Sequence, residues 1–142
     1  MRFWDSSALV PLVVGQAASR TAESWLAEDG VLTVWTLSGV EIASALWRLV
    51  REGVVPEQAA REAEALADEV LRRVHVIGDV ERVKALARRL LRVHGLRAAD
   101  ALQLGAALSW ADGHPEDLVM HTLDRRLGAA AEREGFHVVR AP

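Results

Sequence analysis

At 142 residues, with 51% hydrophobic and 26% charged residues, the chain has the size and balance of one globular domain spanning 1–142. It has no cysteine, which excludes disulfides and thiolate metal sites, and no apolar run near the roughly 20 residues that cross a bilayer. The start, Met1-Arg2-Phe3-Trp4-Asp5, has no apolar signal core, so a cytoplasmic protein without a membrane is expected, and a net charge of −3 provides no global positive field for nucleic acid.

In chain order, a β-like segment over 1–4 leads to a helix begun at Ser6 that Pro11 should shorten, kink or interrupt. A helix over 17–27 and a strand over 31–36 follow. Helices over 40–51 and 56–74 come next, the first stopped by Gly53 and the second opened by Pro56. A strand over 74–77 precedes helices over 80–93 and 99–111, separated by Gly95. A strand over 118–122, a helix over 125–134 closed by Gly135, and a strand over 136–140 complete the chain. Strands alternating with helices predict an α/β three-layer sandwich, with a mostly parallel five-stranded sheet and helices on both faces.

Four acids stand at helix starts. Asp5 ends the first strand and Asp124 follows the fourth, whereas Glu41 and Asp100 open helices. In open α/β sheets the ligand crevice lies beyond the carboxyl ends of the strands, where these acids could converge. Each also has a structural explanation when taken singly. Asp5 and Asp124 suit N-caps, Ser38-x-x-Glu41 has the form of a capping box, and Asp100 suits the helix dipole. The apolar setting speaks for more. Asp100 lies within Ala98-Ala99-Asp100-Ala101-Leu102, and Glu41 heads a helix with Ile42, Ala45, Leu46 and Leu49. Buried carboxylates are rare unless paired or metal-bound, and several together raise one another's pKa. A divalent cation relieves that repulsion, and hard oxygen ligands favour Mg²⁺ or Mn²⁺ over zinc.

The other polar and aromatic groups carry less. His75, His94, His114, His121 and His137 show no i,i+4 metal spacing, and strand alternation turns His121 away from the side of Thr122. Tryptophans 4, 25, 35, 47 and 110 fall on periodic apolar faces, as packing residues do. Arg88, Arg89, Arg92, His94 and Arg97 could rim an RNA groove, but decoration of a helix C-terminus explains them more simply.

At these residues the chain resembles the PIN-domain family, and within it the VapC toxins of toxin–antitoxin pairs. Asp-Ser-Ser-Ala-Leu-Val at 5–10 is similar to the opening acidic motif, and Glu41 with Ser44-Ala45-Leu46 to the second. Arg97-Ala98-Ala99-Asp100-Ala101-Leu102-Gln103-Leu104 resembles the third, although Gly105 stands where alanine is frequent. Thr122-Leu123-Asp124-Arg125-Arg126-Leu127 resembles the closing motif. The resemblance implies a parallel sheet with a site at its C-terminal edge, Mg²⁺-dependent RNA cleavage, inhibition by a small antitoxin, and a homodimer.

On this reading Asp5, Glu41 and Asp100 hold the principal Mg²⁺, Asp124 completes a second, weaker position, and Mn²⁺ is a possible substitute. Ser7 and Thr122 would hydrogen-bond a carboxylate or a metal-bound water. A non-toxin PIN nuclease of RNA processing is the nearest alternative. An aspartate-based phosphatase or phosphoacceptor would need a lysine near its phosphate, and Lys84 lies away from every acidic motif. Such a phosphatase would also show a second acid where this chain has Ser7. A domain that only binds an antitoxin or RNA would be favoured by loss of an acid, and all four are present.

Overall fold

The computed structural model describes residues 1–140. The last two positions of the predicted domain, 141 and 142, lie outside the described residues. In order, the elements are β1 (Arg2–Trp4), α1 (Ser6–Val13), α2 (Ser19–Glu28), β2 (Leu32–Trp35), α3 (Ser38–Arg51), α4 (Glu57–Leu71), β3 (His75–Ile77), α5 (Val80–Val93), α6 (Ala98–Trp110), β4 (Val119–His121), α7 (Arg125–Glu134) and β5 (His137–Val139). The strands form one sheet in the order β3-β2-β1-β4-β5, and every pairing is parallel. Among the described residues no helix is long and apolar enough to cross a membrane.

Period-two alternation sends neighbouring residues of each strand to opposite faces. Phe3, Trp35 and Met120 pack with residues of α5, α6 and α7 on one face. Trp4, Leu32 and Val34 pack with α1, α2, α3 and α4 on the other. Fully burying a large apolar side chain is worth roughly 1.5–3 kcal/mol, so these two layers are what hold the strand order. The chain runs outward from β1 through β2 to β3, then returns to the other side for β4 and β5. The order reverses between β1 and β4, whose carboxyl ends lie side by side, with Trp4 in register with His121. That switch point is where an α/β sheet opens a crevice.

Local chemistry explains the ends of several helices. Asp79 and Asp124 cap α5 and α7 by accepting from Arg82 N–H at 3.1 Å and Leu127 N–H at 2.8 Å. Gly135 closes α7 at φ 109, a conformation that only glycine takes without strain. Gly95 plays no such part: α5 ends when His94 turns extended (φ −121, ψ 149), before the glycine is reached. Pro11 lies inside α1 without breaking it, and the helix stays short at 8 residues.

Candidate active site

Four elements bring acids to the switch point. Asp5 leaves β1 and caps α1, its Oδ2 accepting from Ser7 N–H at 3.2 Å. The same oxygen accepts from the hydroxyls of Ser7 and Thr122, the second at 2.9 Å. Ser6 Oγ, at 3.4 Å, is the neighbour of the other oxygen, Oδ1. Thr122 Oγ1 also accepts from Asp124 N–H at 3.1 Å, and Ser7 Oγ from Leu123 N–H at 2.9 Å. The turn after β1 and the turn after β4 are thereby tied to each other through one carboxylate.

Glu41 rises from the first turn of α3, and both its oxygens are held. Ser6 Oγ donates to Oε2 at 2.8 Å and Gln103 Nε2 donates to Oε1 at 3.2 Å. The capping box whose form Ser38 and Glu41 share is not made. Helix α3 starts at Ser38 itself, its N-cap is Leu37 with no side-chain cap bond, and the buried Ser38 Oγ accepts from Gln103 at 3.2 Å. Tertiary partners take the place of the local bond, because leaving the buried Gln103 N–H donor unmatched would cost more than leaving the helix uncapped. Asp100 lies in the first turn of α6, and among the described residues no hydrogen bond reaches its carboxylate.

The acids feel one another. Burial pushes the Asp5 carboxyl up, opposed by its hydroxyl donors and reinforced by the charge of Asp124. Burial likewise pushes Glu41 up to about 7, with Asp5 and Asp100 adding to the rise. Asp100 is raised by burial and by Asp124 and Asp5, and is held back by Arg97 and Arg126. Such a desolvated group of like charges stores the repulsion that a cation relieves. Among the described residues no three carboxylates, or histidines with carboxylates, already stand together as a closed metal cage. The donor set still fits a hard divalent ion, because Mg²⁺ keeps several waters and takes only one or two protein carboxylates directly.

The remaining groups are accounted for elsewhere. His121 is buried, with its ring stacked on Trp25 at 4.5 Å and 4.7 Å from Trp4. Burial, with Arg2 alongside, holds its pKa down at about 4, as a neutral packing residue. Of the basic group before α6, Arg89 and His94 clasp Glu134 of α7 at 2.7 Å each, while Arg97 faces Asp100 electrostatically. Two cavities flank the start of α7. One of about 440 Å³ is lined by Thr122, Asp124, Arg125 and Arg140. The other, about 290 Å³, is lined by His94, Arg126 and Arg133.

A family model described as PIN domain matches residues 2–133. The chain belongs to the PIN-domain family. Ribonuclease VapC45 of Mycobacterium tuberculosis (strain CDC 1551 / Oshkosh) is 30% identical to this PIN domain over 140 residues, covering 98% of this chain and 94% of that protein. Among solved structures, FitAcB from Neisseria gonorrhoeae superposes with a TM-score of 0.65 at 16% identity, covering 97% of this chain and 96% of the other. PAE2754 from Pyrobaculum aerophilum gives 0.62 at 24% identity, covering 96% and 87%. At those identities the two structures speak for the fold, and both agree with the all-parallel sandwich.

Three residues of this PIN domain gave no sequence signal of their own. Ser6 stood out only as the start of the first helix, yet its hydroxyl lies between Asp5 and Glu41. Gln103 is three positions after Asp100, the one hint that it shares that acid's helix face. Arg126 follows Asp124 by two residues, but its influence on Asp100 depends on how α7 packs against α6.

Proposed function

We propose that this PIN domain, taken as the whole chain, is a Mg²⁺-dependent ribonuclease that hydrolyses RNA phosphodiester bonds, with Mn²⁺ as a substitute ion. The observation that carries the reading is the gathering of Asp5, Glu41, Asp100 and Asp124 at one switch point, close enough that three of them shift upward through burial and mutual charge. The family match and the similarity to a protein named a ribonuclease support it. When bound, the cation would supply Lewis-acid stabilisation of the scissile phosphate and a lowered pKa for the attacking water.

The chain's own groups do the rest. Asp5 is oriented through Oδ2 by Ser7 and Thr122, which leaves its carboxylate as one group that would hold the ion. Glu41 and Asp100 would complete the principal position, and Asp124, whose Oδ1 caps α7, would serve a second, weaker one. Ser7 and Thr122 restrain the carboxylate on which the geometry depends. Arg125 and Arg126, consecutive at the start of α7, line opposite cavities and could each hold a backbone phosphate beside the acids. Cellular placement follows from the VapC-like reading: a cytoplasmic toxin, restrained by a small cognate antitoxin and active as a homodimer.

The test is cleavage of single-stranded and structured RNA in Mg²⁺ and in Mn²⁺, with EDTA and with Asp100→Asn. Cleavage should stop in both controls. Turnover of a phosphatase substrate in Mn²⁺, with RNA left intact, would reject the nuclease reading. The phosphatase alternative finds no lysine at the site, since Lys84 pairs with Glu81 on the solvent-facing side of α5.

A further inference from the structure

Gln103 is fully buried on α6, three residues beyond Asp100 and therefore on the same face of that helix. Its amide nitrogen lies 3.2 Å from both Ser38 Oγ and Glu41 Oε1, two groups of α3. Its amide oxygen is buried and has no hydrogen-bond partner among the described residues. A buried amide that leaves its acceptor unmatched is costly, so packing alone would select an apolar side chain of the same length. The reversed amide would set its oxygen against a carboxylate oxygen of Glu41. Donating through its nitrogen, Gln103 offers Oε1 a hydrogen bond that strengthens when Glu41 is ionised.

The opposite oxygen of Glu41 is held by Ser6, the neighbour of Asp5. Glu41 is thus braced from both sides, and each brace comes from an element that also bears another acid. Without them, a glutamate in the first turn of α3 has free rotamers about its side-chain bonds, and a ligand must give up that freedom to bind. We infer that Gln103 is a positioning residue, which fixes the Glu41 carboxylate relative to Asp100 so that the two can share one divalent cation. The inference rests on the metal-site reading given above, but not on RNA as the substrate.

Mn²⁺ binding to the folded full chain, measured without RNA by calorimetric titration, tests it. Gln103→Met keeps length and volume, removes the donor and also removes the unmatched oxygen, so the metal-free protein should melt at or near the parent temperature. Its Mn²⁺ dissociation constant should rise about tenfold to a hundredfold, the usual effect of losing a ligand's hydrogen-bond partner. Gln103→Leu, read alongside, guards against a folding defect peculiar to methionine. The decisive comparison is a cycle with Glu41→Gln: once Glu41 is no longer a carboxylate, Gln103→Met should change affinity by no more than about twofold. Additive losses in the double variant would make Gln103 a general packing residue and overturn the inference. So would unchanged Mn²⁺ affinity in Gln103→Met while Asp100→Asn loses binding, and in that case the metal site itself stands. Parent-like binding in both Asp100→Asn and Glu41→Gln would remove the metal site, and this inference with it.

Discussion

Thr122 Oγ1 donates to Asp5 Oδ2 at 2.9 Å, although the two residues are 117 positions apart in sequence. The bond joins the carboxyl ends of the two adjacent strands β1 and β4, at the place where strand order reverses. It also divides the work of one carboxylate. Oδ2 gathers the donors from Ser7 and Thr122, and Oδ1 faces Ser6 and, beyond it, Glu41. The cap and a metal-binding role for Asp5 would therefore be compatible, because the cap engages Oδ2 and leaves Oδ1 outside it.

That division can be separated by mutation. Asn is as good an N-cap as Asp, and its carbonyl oxygen can replace Oδ2 for Ser7 and Thr122. Asp5→Asn should melt at or above the parent in EDTA, since a desolvated charge opposed by Asp124 is gone, yet lose nearly all RNA cleavage. Asp5→Ala removes the acceptor altogether and should cost about 1–3 kcal/mol, from the cap and from unmatched donors. Thermal melts paired with cleavage assays decide the matter. If Asp5→Asn melts as low as Asp5→Ala without metal, the charge at Asp5 is structural.

Gly105 has a steric reason that its sequence context hides. A Cβ there would lie 3.0 Å from the Val83 carbonyl oxygen and 3.3 Å from the Ala87 nitrogen, both backbone atoms of α5. Alanine would improve helix propensity by about 1 kcal/mol. Overpacking against a backbone that has no rotamer to yield costs about 1–3 kcal/mol, so Gly105→Ala should be neutral to destabilising, never a gain. Denaturant unfolding measures it. A variant more stable than the parent would mean that α5 and α6 part without penalty.

In cells, overproduction of the parent should arrest growth, and Asp100→Asn should relieve the arrest at equal protein level. A small partner should copurify when its gene is supplied. Growth equal to that of the empty-vector control, with folded and metal-competent parent protein, would favour a nuclease of RNA processing over a toxin.

How much was legible in the sequence depended on how local the deciding interaction is. The spans 80–93 and 125–134 match α5 and α7 because each helix has its aspartate cap within the same few residues. The span 56–74 overshoots α4 by three residues, since Arg72–Val74 is turn before β3 and alanine-rich periodicity carries no stop of its own. The places of the four acids at helix starts were legible, because strand ends and helix starts are readable in one dimension. The capping-box form of Ser38 and Glu41 stayed open as an alternative, because a four-residue pattern cannot reveal partners at positions 6 and 103. Ser6, Gln103 and Arg126 depend on contacts between separate elements, which sequence spacing does not report.

The pH dependence of stability offers the last test, and its sign is set by Glu41. Burial, with Asp5 and Asp100 nearby, raises this carboxyl from 4.5 to about 7. Between those values the native protein keeps a proton that the unfolded chain has released, so raising the pH favours unfolding. Asp5 and Asp100, also raised, act in the same direction. In EDTA the parent should therefore lose melting temperature as pH climbs from 4.5 towards 7, and Glu41→Gln should flatten that slope. A divalent cation needs the ionised acids, so Mg²⁺ should stabilise most at the upper end of the range and little at the lower. At a hundred times its dissociation constant it should add about 2.7 kcal/mol, by binding the native state alone. Melting curves at several pH values, with and without Mg²⁺, read both effects in one series. Equal slopes for parent and Glu41→Gln in EDTA would show that Glu41 is ionised at neutral pH without a cation, and that the repulsion assigned to this cluster is not stored there.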